Sequence, residues 1–265
     1  MSTYDLKGFQ QSASYQLDEA KGTIVLGKDW KLFSAQSRQV CDHFLTLAAA
    51  SLLADMKPAL FFMNLCRCAE NWRRFMVSAQ EHFQQRPSLI FNTPVYAAII
   101  AQDTSVLTGI CEALPKQWQE GEEYPDQFHL TWLSALLQLN GCQVDDNVET
   151  HLQVLEEAEP ERCELYKALL GLEELEEADF WNQFNSVLYA HEEDIEKRIN
   201  SVSTDTPRFI AHRFIWFEGL ALLRLALIKG FVLPSHSIMF CPDEALMTVT
   251  DKYQGDWPLV PLPVH

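Results

Sequence analysis

The chain has 265 residues, 48 % of them apolar, and a formal net charge of −17. That apolar share is enough for a packed core and excludes a disordered chain. The charge excludes nucleic acid as a direct partner, because phosphate binding needs clustered Lys and Arg, and it disfavours an anionic membrane surface.

Only 10 glycines and 12 prolines interrupt the sequence. That scarcity predicts an all-α fold: one domain of packed helical hairpins, a degenerate αα-repeat, spanning residues 1–265. Residues 1–34 lack helical periodicity and are expected as an irregular arm, with "GTIVLGKDWKLF" a short strand or an extended segment. The start "MSTYDLKGFQQSASYQ" has neither the basic block nor the apolar block of a secretory signal. The seven cysteines are an odd number set mostly in apolar helical patterns. They read as reduced, buried thiols of a cytoplasmic protein.

Helices are expected over 35–230. In "SRQVCDHFLTLAAASLLAD", Val40, Phe44, Leu47, Ala48 and Leu52 share one face. Pro58 opens the next helix. Thr93-Pro94 and Thr206-Pro207 place a capping hydroxyl before a proline suited to the first helical position. Pro125-Asp126 and Pro160-Glu161 are similar starts, with acids where the helix dipole favours them. Asn140-Gly141 and Lys229-Gly230 are C-terminal stops. The segments "YAAIIA", "SALLQL", "KALLGL" and "LALLRL" resemble one another, and the first three recur at steps compatible with a two-helix hairpin repeat.

"PRFIAHRFIWFEGLALLRLALIKG" (207–230) is the most hydrophobic stretch. Arg213, Glu218 and Arg224 leave no uncharged run near the ~18 residues of a membrane span. Its polar positions point in three directions, so it is expected as a single buried central helix of ~34 Å. Glu218 and Arg213 then need partners on other elements. Residues 231–265, with five prolines and no helical period, are expected to wrap over the helices in extended form.

Few residues carry chemistry. Asp126 and His129 have the i,i+3 spacing of a carboxylate–histidine pair, and His191 precedes three acids, but neither Glu-x-x-His nor HExxH occurs. His191 also falls on the stripe Phe180, Phe184, Val187, Leu188 and Ile195, which makes it a core or rim histidine. No nucleophile elbow, P-loop or dinucleotide loop is present. The sequence therefore offers no catalytic residue, no metal ligand and no cofactor, and the chain is expected not to be an enzyme. Arg67, Arg73, Arg74 and Arg86 form a modest basic cluster expected to pair with acids.

The acids are concentrated. Residues 145–196 hold 17 of the 37 Asp and Glu, against only Arg162 and Lys167. Charge runs ordinarily make a solvated helix face. Surface helices, however, usually mix Glu with Lys, and "EELEEAD" (173–179) contains no base. A field of one sign accelerates association with an opposite partner. Glu156, Glu157, Glu159, Glu161, Glu173, Glu174, Glu176, Glu177, Asp179 and Trp181 are accordingly the candidate partner-binding residues.

The buried "EGLALLRLALIKG", the following Phe231-Val232-Leu233-Pro234 and the mid-chain "FHLTWLSALLQLNG" give the chain a family likeness. Over roughly residues 90–245 it resembles the immunity 49 family, the all-helical immunity proteins of bacterial polymorphic toxin systems, including those of type VI secretion. The resemblance implies a cytoplasmic protein that neutralises a cognate toxin domain, basic and nucleic-acid-acting, by occluding its active site. It transfers no functional residue position by position. The alternative is a helical-repeat adaptor without a toxin partner.

Overall fold

The computed structural model describes residues 3–200, 207–249 and 251–263. Among them are eleven α-helices and no strand, only a bridge between Ile238 and Cys241. One hydrophobic cluster runs from Leu17 through the helices to Val260 in the tail. The all-α expectation holds.

The N-terminal arm is a correction. Helix α1 spans Thr3–Ala20 and α2 spans Trp30–Leu53. Between them, "GTIVLGKD" is a turn anchored by buried Ile24, and no strand forms. The helical signal of α1 is narrow: Leu6, Ala13 and Leu17 are its buried apolar residues, on a strip that meets α2, while most of residues 7–19 around them are exposed. Helix α2 starts where the Asp29 carboxylate accepts the Leu32 N–H at 3.1 Å.

Helix α3, Pro58–Glu81, packs along α2 as a hairpin. Short helices α4 (Thr93–Ile100) and α5 (Thr104–Ala113) lie against α3. The cap of α4 is Asn92, one residue before the expected Thr93. Two further hairpins follow: α6 (Pro125–Asn140) with α7 (Asp146–Ala158), and α8 (Pro160–Leu170) with α9 (Glu177–Ile199). Gly141 and Gly230 close their helices in the left-handed region, as their positions predicted, and Gly171 does the same for α8. The Thr206-Pro207 cap lies partly outside the described residues.

The predicted central helix is broken. Pro207–Ile210 forms α10, Ala211–Arg213 a 3-10 turn, and Phe217–Lys229 the helix α11. Trp216 is extended, and its N–H donates to the Phe240 carbonyl at 2.9 Å instead of continuing a helix. At 13 residues α11 is ~20 Å long, yet it is central as expected: Leu220–Ala226 are buried, and it contacts α4, α6 and α8. Its charges find partners on other elements. Arg162 of α8 holds Glu218, and the buried Arg224 guanidinium donates to the carbonyls of Ala245, Leu246 and Met247.

The tail wraps as predicted, apart from a 3-10 turn at Asp243–Leu246. The fully buried Asn71 side chain of α3 donates to the Trp257 carbonyl and accepts the N–H groups of Leu259 and Val260. Ser78 donates to the Pro261 carbonyl, Arg67 pairs with Asp256, and Trp257 packs edge-on against Phe44. All seven cysteines are free and buried.

Candidate functional site

The acidic region folds into three consecutive helices, α7, α8 and α9, each packed on the next. Its two bases turn inward. The Lys167 side chain is only 7 % exposed, and its ammonium lies 2.9 Å from Glu156, 3.3 Å from Glu164 and 3.0 Å from Glu173. Hydrogen bonds to Glu156 and Glu173 are the main reason its pKa is raised. Arg162 reaches Glu218 and lies 3.9 Å from Glu159. The expectation that 173–179 meets no base is therefore corrected: Lys167 reaches Glu173 across the turn that follows α8.

The ten residues selected from sequence divide by geometry. Glu156 and Glu173, about 60 % and 63 % exposed, hold Lys167 with one oxygen and keep the rest of the carboxylate in water. Glu157, Glu161 and Glu174 are exposed and make no ion pair among the described residues. Glu159 ends α7 beside Arg162. The remainder fix the start of α9: the Glu176 N–H donates to Asp179, and Glu177 accepts both the Trp181 indole N–H at 3.2 Å and the Val232 N–H at 2.7 Å. Trp181 is half-buried against Phe180 and Phe184. These four residues build the fold, and the outward charge comes from the others.

A second feature escaped the sequence reading. A cleft of about 550 Å³ opens between the second half of α9, α10, the start of α11 and the N-terminus of α4. His191 of α9 stacks on Trp216 with centroids 5.0 Å apart and planes at 18°. Phe240 meets the same imidazole edge-on. The indole can lie there because residue 219 is glycine: a Cβ at that position would sit 2.0 Å from the Trp216 ring. His212, against Phe217, lines the same space. Burial pushes both imidazoles down to about 4, with nearby cations adding to the effect, so both are neutral at pH 7.

Two arginines line this cleft, Arg198 and Arg208. Arg198 pairs with Asp194 at 2.9 Å and lies over the Phe209 ring at 5.8 Å. Arg208 is exposed and faces the buried Asp42 of α2, whose carboxyl burial raises to about 7 against the pull of Arg208 and Arg38. The sequence places His191 on the rim of an apolar stripe, and it gives no sign that Arg208 and His212 lie beside it. The three meet at one cleft because the chain breaks before Trp216, which no periodicity reveals.

The other singled-out groups resolve simply. Arg67, Arg73 and Arg74 pair with acids, whereas Arg86 donates to the Gln117 carbonyl. His129 meets His151, Nδ1 to Nδ1 at 2.8 Å, in a pair that joins α6 to α7. Among the described residues no three His, Cys, Asp or Glu side chains converge on a metal position, and no helix is long and apolar enough to cross a membrane. Compared with known proteins, the chain matches no family model, no curated protein and no solved structure.

Proposed function

We propose that the chain is an immunity protein that binds a basic toxin domain through the acidic face of α7–α9 and occludes the toxin's active site. The observation that carries the reading is the inward turn of both bases. Arg162 and Lys167 are consumed by internal pairs, so from α7 to the start of α9 the exposed charges are carboxylates, and the exposed bases of α9, Lys197 and Arg198, lie only in its last turn. Such a field attracts a cationic surface from a distance and raises association rates by ~10–10³-fold. The family likeness of residues 90–245 points the same way. In this reading the protein acts in the cytoplasm, needs no cofactor and performs no reaction of its own. Glu157, Glu161 and Glu174 steer the encounter, and Glu156 and Glu173 contribute their free oxygens.

The test is co-expression and co-purification with the toxin domain encoded beside the chain's own gene, followed by stopped-flow association. The triple reversal Glu157→Lys, Glu161→Lys, Glu174→Lys is expected to slow association at least tenfold and to weaken protection of the cell. It leaves the α9 cap and the Lys167 cluster intact, so the circular dichroism spectrum should not change. An unaltered association rate would remove the acidic face from the interface.

A further inference from the structure

Helix α11 is buried along most of its length and then surfaces. Leu220–Ala226 are enclosed, whereas Leu227 and Ile228 of its last turn are 38 % and 39 % exposed. After the Gly230 stop, Val232 is 75 % exposed, more than any other large apolar side chain among the described residues. None of the three belongs to the hydrophobic cluster of the core. Single exposed apolar residues are ordinary, but a group of them marks a contact surface.

The surroundings of this patch are fixed and negative. The Val232 N–H and the Trp181 indole N–H share one Glu177 oxygen, at 2.7 and 3.2 Å, which ties the patch to the start of α9. The turn before α9 carries Glu173 and Glu174. It is closed by the Leu175 N–H on the Leu172 carbonyl at 2.9 Å, and Lys167 holds Glu173. Helices α8 and α11 end side by side here, where the Lys229 ammonium donates to the Leu170 carbonyl at 3.0 Å. Helix C-termini carry negative partial charge, so both ends add to the field of the carboxylates. The bases nearby, Lys229 and the buried Lys167, are outnumbered by Glu173, Glu174, Glu176 and Glu177.

We propose that Leu227, Ile228 and Val232 form the apolar centre of an interface with a basic protein, rimmed by the glutamates of the 173–177 turn. The partner is the toxin domain of the acidic-face reading, on which this assignment rests. It contributes an exposed apolar side chain ringed by lysines and arginines, complementary in charge to the rim. Protein interfaces join an apolar centre to a polar rim. Charge at the rim speeds the encounter, and apolar burial at the centre sets how long the complex lasts.

Stopped-flow kinetics with the toxin domain encoded beside the chain's own gene separates these two parts. The double variant Ile228→Ser, Val232→Ser is expected to raise the dissociation rate at least fivefold and to leave association within twofold. Both side chains are exposed, so its melting temperature should match the parent's. Raising salt from about 0.1 to about 0.5 M should slow association of the parent chain while its dissociation rate stays within twofold. Tyr15→Ser alters an exposed ring on α1, which packs on α2, and should change neither rate. Dissociation unchanged in the double variant, beside slowed association of the Glu157→Lys, Glu161→Lys, Glu174→Lys chain, would overturn the apolar centre and leave the acidic face standing. Faster dissociation in the double variant, with no slowing in that charge-reversed chain, would overturn the choice of a basic partner. A parent chain that fails to bind the toxin domain would overturn both readings.

Discussion

Two charge clusters in this molecule, each around a buried central charge, have opposite stoichiometry. In α3, one carboxylate, Glu70, is gripped by two arginines, with Arg73 at 2.7 and 2.9 Å and Arg74 at 2.7 Å. In α8, one ammonium, Lys167, is gripped by three glutamates. Around Glu70, burial pushes the carboxyl up, but the hydrogen bonds and charges of Arg73 and Arg74 outweigh it and its pKa is lowered. That side of the molecule is then closed by the tail, which lays backbone carbonyls and Asp256 over the remaining arginine donors. Around Lys167 nothing closes over the glutamates, and the surplus charge faces water. The same ion-pair chemistry thus seals one surface and leaves the other open.

The largest effect is expected on the sealed side. Asn71→Ala removes the acceptor for two tail N–H groups and the donor to the Trp257 carbonyl, at a position with no solvent access. Orphaned buried groups cost ~1–3 kcal/mol each. Partial rehydration of the freed tail reduces the sum to about 3–4 kcal/mol, or roughly 10 °C in melting temperature. Hydrogen exchange at residues 251–263 should accelerate first. A melting temperature within 2 °C of the parent would mean that the tail is an ornament on α3 and not its seal.

Much of this architecture was legible before the structure, and the failures share a physical cause. Proline starts at 58, 94, 125 and 160 and glycine stops at 141 and 230 act through local backbone sterics, so the sequence alone locates them. Helix α1 was missed because its signal is a thin apolar strip in a polar context. The break before Trp216 was missed because it depends on a carbonyl 24 residues downstream, at Phe240. The "ALL" segments are instructive in a different way. They lie in α4, α6, α8 and α11, and α11 touches the other three, so their likeness reflects one shared core environment. The acidic face was visible as composition, yet its division into capping residues and free carboxylates needed the fold, because Lys167 and Glu173 meet only across a turn. The cleft was invisible because its walls come from separate segments.

Acid should act first on the open side. His151, His191 and His212 each have pKa values pushed down to about 4, chiefly by burial, against an unfolded value near 6.5. The folded state therefore binds fewer protons than the unfolded state between pH 6.5 and 4. Stability is complete above pH 6.5 and falls as pH drops through that window. Asp42 opposes this: its pKa is raised to about 7, so its protonation favours the fold as pH falls, offsetting about one histidine. Allowing for solvent screening of the partly exposed imidazoles, the net loss from pH 7 to pH 5 is about 1–2 kcal/mol. His191→Gln should flatten that slope. Exchange in α7 and α9 should rise before exchange in α2 and α3; the reverse order would place the acid-sensitive element on the sealed side.

The smallest effect tests the open cluster itself. Lys167→Met keeps the buried stem and deletes the charge, leaving Glu156, Glu164 and Glu173 without their common partner. A fully buried triad treated this way would lose ~3–5 kcal/mol. Here the carboxylates are 40–63 % exposed and can turn into water. The loss should therefore be only about 1 kcal/mol, within the range of surface pairs. Added salt should shrink it further, because like-charge repulsion among the three glutamates is then screened. The contrast with Asn71→Ala is the point of the experiment: a neutral amide under a covering segment outweighs a three-way ion pair at an open surface. If Lys167→Met cost as much as Asn71→Ala and ignored salt, the glutamates would have to be enclosed, and the face they form would no longer be available to a partner.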